Sequence, residues 1–151
     1  MHHKVELFWR GEETFDIHLP DGNTLLVQTE SLDTFSSKGL RPKPLMLASL
    51  AGCTAIDVVM LMKKMRLEVD AFKICVIGEL TTEHPKFYRK VEVQYHFIGA
   101  NLDVEKLTRC VKLSEEKYCG VMHMFRQFAQ LEIDIHMHTK EVQSDNPSKL
   151  L

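Results

Sequence analysis

The chain has 151 residues, enough for one domain with a sizeable core. It is 44% hydrophobic and 26% charged with a net charge of −2, a soluble globular composition with no basic footprint for nucleic acid. No apolar signal-peptide core opens it and no repeat or low-complexity tract interrupts it, so cytoplasm is the expected compartment. His2 and His3 are given no role.

"KVELFWRGEETFDIHL" reads as a hairpin: Val5, Leu7 and Trp9 alternate, Arg10 and Gly11 turn, and Phe15, Ile17 and Leu19 alternate again. "PDGN" at 20–23 is a turn signal and "TLLVQT" at 24–29 a third strand. The first third is therefore an antiparallel meander. "SLDTFSSKGLRPKP" at 31–44 is a loop. Pro44 suits an early helical position, where a missing N–H costs nothing. A helix follows from about Leu45 to Met65, apolar nearly all round until Lys63 and Lys64. Its length approaches a bilayer span, but Asp57 in its middle makes a buried core helix the expectation.

"FKICVIGELT" (72–81) and "FYRKVEVQYHFIG" (87–99) read as strands. "NLDVEKLTRCVKLSEEKYCG" is a second helix, capped by Asn101 or Asp103, with Val104, Leu107, Val111 and Tyr118 as its apolar stripe and Gly120 as its stop. "VMHMFRQFAQ" is a short third helix, and "LEIDIHMHT" (131–139) a last alternating strand. The order is β-β-β-α-β-β-α-α-β, an α+β class with helices on a sheet. Residues 1–140 form a single domain and 141–151 a polar tail. The first helix is more apolar than one small sheet can cover, which implies burial against a second copy of the chain.

Four cysteines occur: Cys53, Cys75, Cys110 and Cys119. None pairs as C-x-x-C, so zinc-ribbon and thioredoxin motifs are absent, and neither a metal nor a cofactor is expected. Cys53 lies in "LASLAGCTAIDVV", either as filler in an apolar helix or as a nucleophile. Gly52 beside it points to a close backbone approach or to room for a substrate. Asp57, one turn on, raises the Cys53 thiol pKa unless a cation intervenes. Cys119 ends the second helix, a poor place for a thiolate but an adequate one for a resolving thiol. Cys75, between Ile74 and Val76, reads as core, and Cys110 as structural. His136 and His138 alternate with acids and read as surface residues. A Cys/His metal site around His123, His136 and His138 lacks the spacing such sites use.

"GLRPKPLMLASLAGCTAIDVVMLMKKMR" resembles the first-cysteine helix of the OsmC/Ohr family, small peroxide-detoxifying thiol proteins. "TTEHPKFYRKVEVQYHF" resembles the strand pair that follows, and "VEKLTRCVKLSEEKYCGV" the helix of the second cysteine. The similarity runs from about Val5 to His138 and is nearest to the subgroup of predicted redox proteins with "GCT-x-x-DVV" and "S-x-EKYC". It implies an OsmC-like fold and an intertwined homodimer with central buried helices. It also implies a cofactor-free thiol peroxidase acting on organic hydroperoxides or hydrogen peroxide. In that scheme Cys53 attacks the peroxide and becomes sulfenic acid, Cys119 closes a disulfide with it, and a dithiol reductant of lipoyl type restores both. The well-studied peroxidases carry a glutamate before the first cysteine, where this chain has Lys43 and Pro44. Arg10, Arg41 and Lys43 are therefore the candidate activating cations. The alternative within the same fold is a non-enzymatic redox-sensing or small-molecule-binding protein.

Overall fold

The computed structural model describes residues 1–28 and 39–139. The tail read over 141–151 and residues 31–38 of the loop lie outside the described residues. Two compact units make up the chain, Met1–Ala48 and Ser49–Leu151.

The first unit is the expected meander: β1 (Glu6–Gly11), β2 (Thr14–His18) and β3 (Thr24–Gln28), antiparallel and in that spatial order. Trp9 lies opposite Phe15, and Phe15 opposite Val27. The first turn falls at Glu12–Glu13, later than expected, because Gly11 takes a φ of +103° and Glu12 one of +47°. Arg10 thus stays within β1. Leu7, Phe8 and Trp9 of this edge strand are exposed. "PDGN" turns as read: the Asp21 carboxylate accepts the Asn23 backbone N–H at 3.1 Å, and the Gly22 N–H donates to the Leu19 carbonyl. Beyond the meander, Gly39 passes so close to Gln28 that a Cβ there would stand 2.5 Å from the Gln28 Cβ. That closeness lets Leu40 bridge in parallel to Val27.

The helix α1 spans Pro42–Lys64, with both prolines in its first turn and Lys63 and Lys64 in its last. By length and composition it could cross a membrane, at a mean hydropathy of 2.0. Its buried residues are Leu50, Thr54, Val58 and Met62, one stripe at spacing four. Ile56 is 63% and Met60 64% exposed. Within one chain, one stripe of the helix is covered.

The second sheet is β4 (Ala71–Leu80), β5 (Tyr88–Gly99) and β6 (Gln130–Thr139), with β5 in the centre. β4 pairs with β5 antiparallel through a short connection, whereas β5 and β6 are parallel and need the helical crossover between them. Val91, Val93, Tyr95 and Phe97 alternate along β5 and are fully buried. Register puts Phe72, Ile74 and Val76 of β4 on that same face. The opposite face is polar. Cys75 is on it, half-buried and opposite Gln94, so it is not the core residue its apolar neighbours suggested.

The crossover begins with α2 (Val104–Leu113), capped by Asp103, whose carboxylate accepts the Lys106 backbone N–H. Leu107, Cys110, Val111 and Ser114 form its buried stripe. The expected stripe members Val104 and Tyr118 are exposed, at 53% and 49%. α2 continues as one π-helical turn, Ser114–Tyr118, closed by the Cys119 N–H donating to the Ser114 carbonyl at 2.8 Å. Gly120 then opens the six-residue α3 (Gly120–Phe125) rather than stopping a helix.

Candidate functional site

Cys53 and Asp57 are four apart in α1 and share one face of it. Cys119 comes from the crossover between β5 and β6, and the π turn explains how it is presented. In a regular α-helix, five residues after Ser114 would rotate Cys119 by about 140° away from it. The wider turn returns Cys119 to the buried side, where it is 3% exposed. Arg126 fastens the turn, donating to the Glu115 carbonyl at 2.9 Å and to its carboxylate at 2.5 Å. The Cys53 sulfur, the Cys119 sulfur and a carboxylate oxygen of Asp57 then lie within 4.8 Å of one another. The two sequence-selected thiols are thus brought together, although they lie 66 positions apart in the chain.

Cys119 ends the second helix, as its place after "EEKY" suggested, and is at the same time the N-cap of α3: its sulfur accepts the Met122 N–H at 3.4 Å. Burial nevertheless pushes its thiol up to about 12, against the Met122 hydrogen bond and with Cys53 and Asp57 adding to the rise. A thiol so placed is no primary nucleophile, but it can attack a sulfenic sulfur that sits next to it.

Behind Asp57 runs a chain of buried hydroxyls. Ser114 donates to the Asp57 carboxylate at 3.1 Å, Thr54 Oγ1 is 2.9 Å from Ser114 Oγ, and the Tyr95 hydroxyl is 2.6 Å from Thr54 Oγ1. Thr54, Ser114 and Tyr95 are fully buried. Each hydroxyl has one proton to give. With Ser114 donating to Asp57, Thr54 must donate to Ser114 and Tyr95 to Thr54. The carboxylate therefore sets the direction of the whole chain. Burial also holds the Tyr95 phenol neutral, its pKa raised to about 12. None of these three hydroxyls was singled out in the sequence. Thr54 next to Cys53 was the available signal, a polar residue on the stripe that α1 buries.

Arg10 is ion-paired with Asp16 inside the N-terminal unit, and Asp16 is buried there. Arg41 immediately precedes α1, and Lys43 is its second residue, about 15 Å along the axis before Cys53. Among the described residues, Cys53, Asp57 and Cys119 are the group whose donor atoms could hold a metal ion. The set contains no histidine, unlike the Cys/His arrangement weighed from the sequence. A Cβ built on Gly52 meets nothing within 4 Å, so this glycine marks open space rather than a close backbone approach. An open cavity of about 210 Å³ is lined by Asp57, Met60, Leu61, Lys64 and Tyr118. Cys110 is apart from all this, buried with its thiol 3.7 Å from the Met65 sulfur. On the polar sheet face, His96 Nδ1 and His138 Nε2 are 3.0 Å apart and His96 stacks on His136. Partial burial, then the charges of His136 and His138, hold His96 below the usual imidazole range. These surface histidines form a cluster.

Comparison with known proteins agrees with this arrangement. Residues 35–141 match the profile of the family described as OsmC-like protein. Protein YhfA of Escherichia coli K12 is 29% identical over 119 residues, 79% of this chain and 86% of its own length. The crystal structure of a hypothetical protein from Aquifex aeolicus superposes with a TM-score of 0.80 at 33% identity, covering 93% of this chain and 99% of that one. The organic hydroperoxide resistance protein OhrB of Bacillus subtilis gives 0.65 at 19% identity, covering 89% and 98%, which is a likeness of fold. The order of elements, the juxtaposed cysteines and the profile match lead to one conclusion: the chain belongs to the OsmC-like protein family.

Proposed function

We propose that this protein is a thiol-dependent peroxidase for organic hydroperoxides or hydrogen peroxide, working as a cytoplasmic homodimer. The observation that carries the reading is the approach of the Cys53 and Cys119 sulfurs to within 4.8 Å across two separate elements. A disulfide needs about 2.05 Å, so closure asks for a movement of no more than about 2.8 Å. The Cys53 thiolate attacks a peroxide oxygen, the O–O bond breaks, and the alcohol leaves with a proton while Cys53 becomes sulfenic acid. Cys119 then displaces the sulfenic oxygen as water, and the S–S bond forms. A dithiol of lipoyl type returns two electrons by exchange and is itself oxidised to a disulfide. Arg10 or Arg41 supplies the positive charge that favours the Cys53 thiolate. The exposed Ile56 and Met60 on α1 and the exposed Leu7, Phe8 and Trp9 on β1 support the dimer, because each row is apolar and lies along one element.

The test is one equivalent of cumene hydroperoxide added to the reduced protein, followed by mass-spectrometric mapping of the thiols. The expected product is a Cys53–Cys119 disulfide, lost in Cys53→Ser and in Cys119→Ser. Four intact thiols would refute the peroxidase. The second reading, a small-molecule-binding protein of the same fold, is supported by the cavity beside Asp57, which neither thiol lines.

A further inference from the structure

We infer that the reduced Cys53–Asp57–Cys119 group binds one soft or borderline divalent cation, with zinc as the representative ion, and that the metal-bound form is blocked toward peroxide. The proposal uses the same residues as the peroxidase reading but does not depend on peroxide turnover.

Two sulfurs and a carboxylate oxygen already converge within 4.8 Å. Around a tetrahedral zinc, with bonds of about 2.3 Å to sulfur and about 2.0 to 2.2 Å to oxygen, such donors are roughly 3.5 Å apart. The site needs a contraction of about an ångström, not a rearrangement. The donor set is also the right kind, since thiolates select zinc and its softer neighbours over magnesium or calcium. Placement is defined on both sides: Cys53 and Asp57 lie one turn apart on α1, and Cys119 is placed by the π turn and its cap to Met122. Asp57 is oriented by the Ser114 hydroxyl, which Thr54 and Tyr95 in turn steady. Partners of this kind behind a ligand are worth about 10- to 100-fold in metal affinity. Ser114 occupies one lone pair of the carboxylate and leaves others for an ion. Three protein donors leave a fourth position for water, and the cavity that reaches Asp57 gives an entry path.

Binding balances as one divalent cation and two thiols going to one bis-thiolate complex and two released protons, with no change of oxidation state. The lone pairs that would attack peroxide are then held by the ion.

The experiment titrates zinc into the reduced protein at pH 7 against a chromophoric chelator, with cobalt as a spectroscopic substitute. The expected result is one zinc per chain, thiolate-to-cobalt charge-transfer bands, and loss of both in Cys53→Ser and Cys119→Ser. Asp57→Asn and Ser114→Ala weaken binding about 10-fold or more while retaining the native circular dichroism. Wild-type protein oxidised to the Cys53–Cys119 disulfide serves as a substitution-free control and takes up no zinc at this site. His96→Ala, in the histidine cluster, leaves the stoichiometry unchanged. Failure to bind zinc, binding that survives both serine variants, or binding lost in His96→Ala would overturn the inference. Zinc bound without any peroxide consumption in the metal-free protein would refute the peroxidase and leave this site standing; turnover without zinc binding would do the reverse.

Discussion

Thr54→Val probes the buried hydroxyl chain at its centre. Valine keeps the shape of threonine and replaces only the hydroxyl. Two hydrogen bonds vanish, to Tyr95 at 2.6 Å and to Ser114 at 2.9 Å. Ser114 keeps its bond to Asp57, but the Tyr95 hydroxyl loses its partner in a fully buried position. An orphaned buried donor costs about 1 to 3 kcal/mol, and the lost bonds bring the total to about 2 to 4 kcal/mol. That is a large share of the roughly 5 to 15 kcal/mol that holds a domain folded. Tyr95→Phe alone costs less, about 1 kcal/mol, because Thr54 remains bonded to Ser114. The double variant removes both the orphan and its partner. It should therefore be more stable than Thr54→Val alone, a rescue of about 1 kcal/mol or more. Urea unfolding followed by circular dichroism, at one protein concentration and pH 7, measures all four corners of the cycle. Additive losses would refute the one-directional chain that ends on Asp57.

Two further predictions follow from the same core and from the first unit. Tyr95 and Cys119 both have folded pKa values of about 12, above their ordinary 10.0 and 9.0. The unfolded chain therefore sheds these protons first, so their stabilisation is complete below about pH 9 and is lost as pH rises toward 12. The Tyr95 share is about 2 to 3 kcal/mol; Tyr95→Phe should flatten the fall above pH 10, and urea midpoints between pH 8 and 11.5 that are parallel for the two proteins would contradict this. Gly39→Ala places a Cβ 2.5 Å from the Gln28 Cβ and 2.9 Å from its backbone nitrogen. The strand end must shift, at a cost of about 1 to 3 kcal/mol, and amide exchange at Gln28 and Leu40, which are hydrogen-bonded to each other's segments, should accelerate; unchanged protection would remove the close-approach argument.

Much of this protein was legible before any coordinates. Alternation along "KVEVQYHF" and "LEIDIHMHT" and the turn chemistry of "PDGN" were enough for all six strands, because strand periodicity and turn residues are local properties. A cap at Asn101 or Asp103, of which the fold uses Asp103, and the prolines at the entry to α1 were legible for the same reason. The two thiol segments carried the family likeness. Other features depend on distant residues meeting. Cys75 reads as core by its neighbours, yet register against β5 turns it to the polar face. Tyr118 leaves the stripe of α2, since the π turn changes the helical repeat and no local pattern announces it. The same turn makes Cys119 an N-cap and carries its sulfur to Cys53 and Asp57. The hydroxyl chain has the same origin: Thr54, Tyr95 and Ser114 belong to three elements, and a hydrogen bond at 2.6 Å exists only once packing has excluded water from all three. The sequence by itself determined the elements, their order and the identity of the two thiols, all written in local periodicity and residue type. Which side chains surround those thiols was decided by register and by one widened helical turn, which only the folded chain possesses.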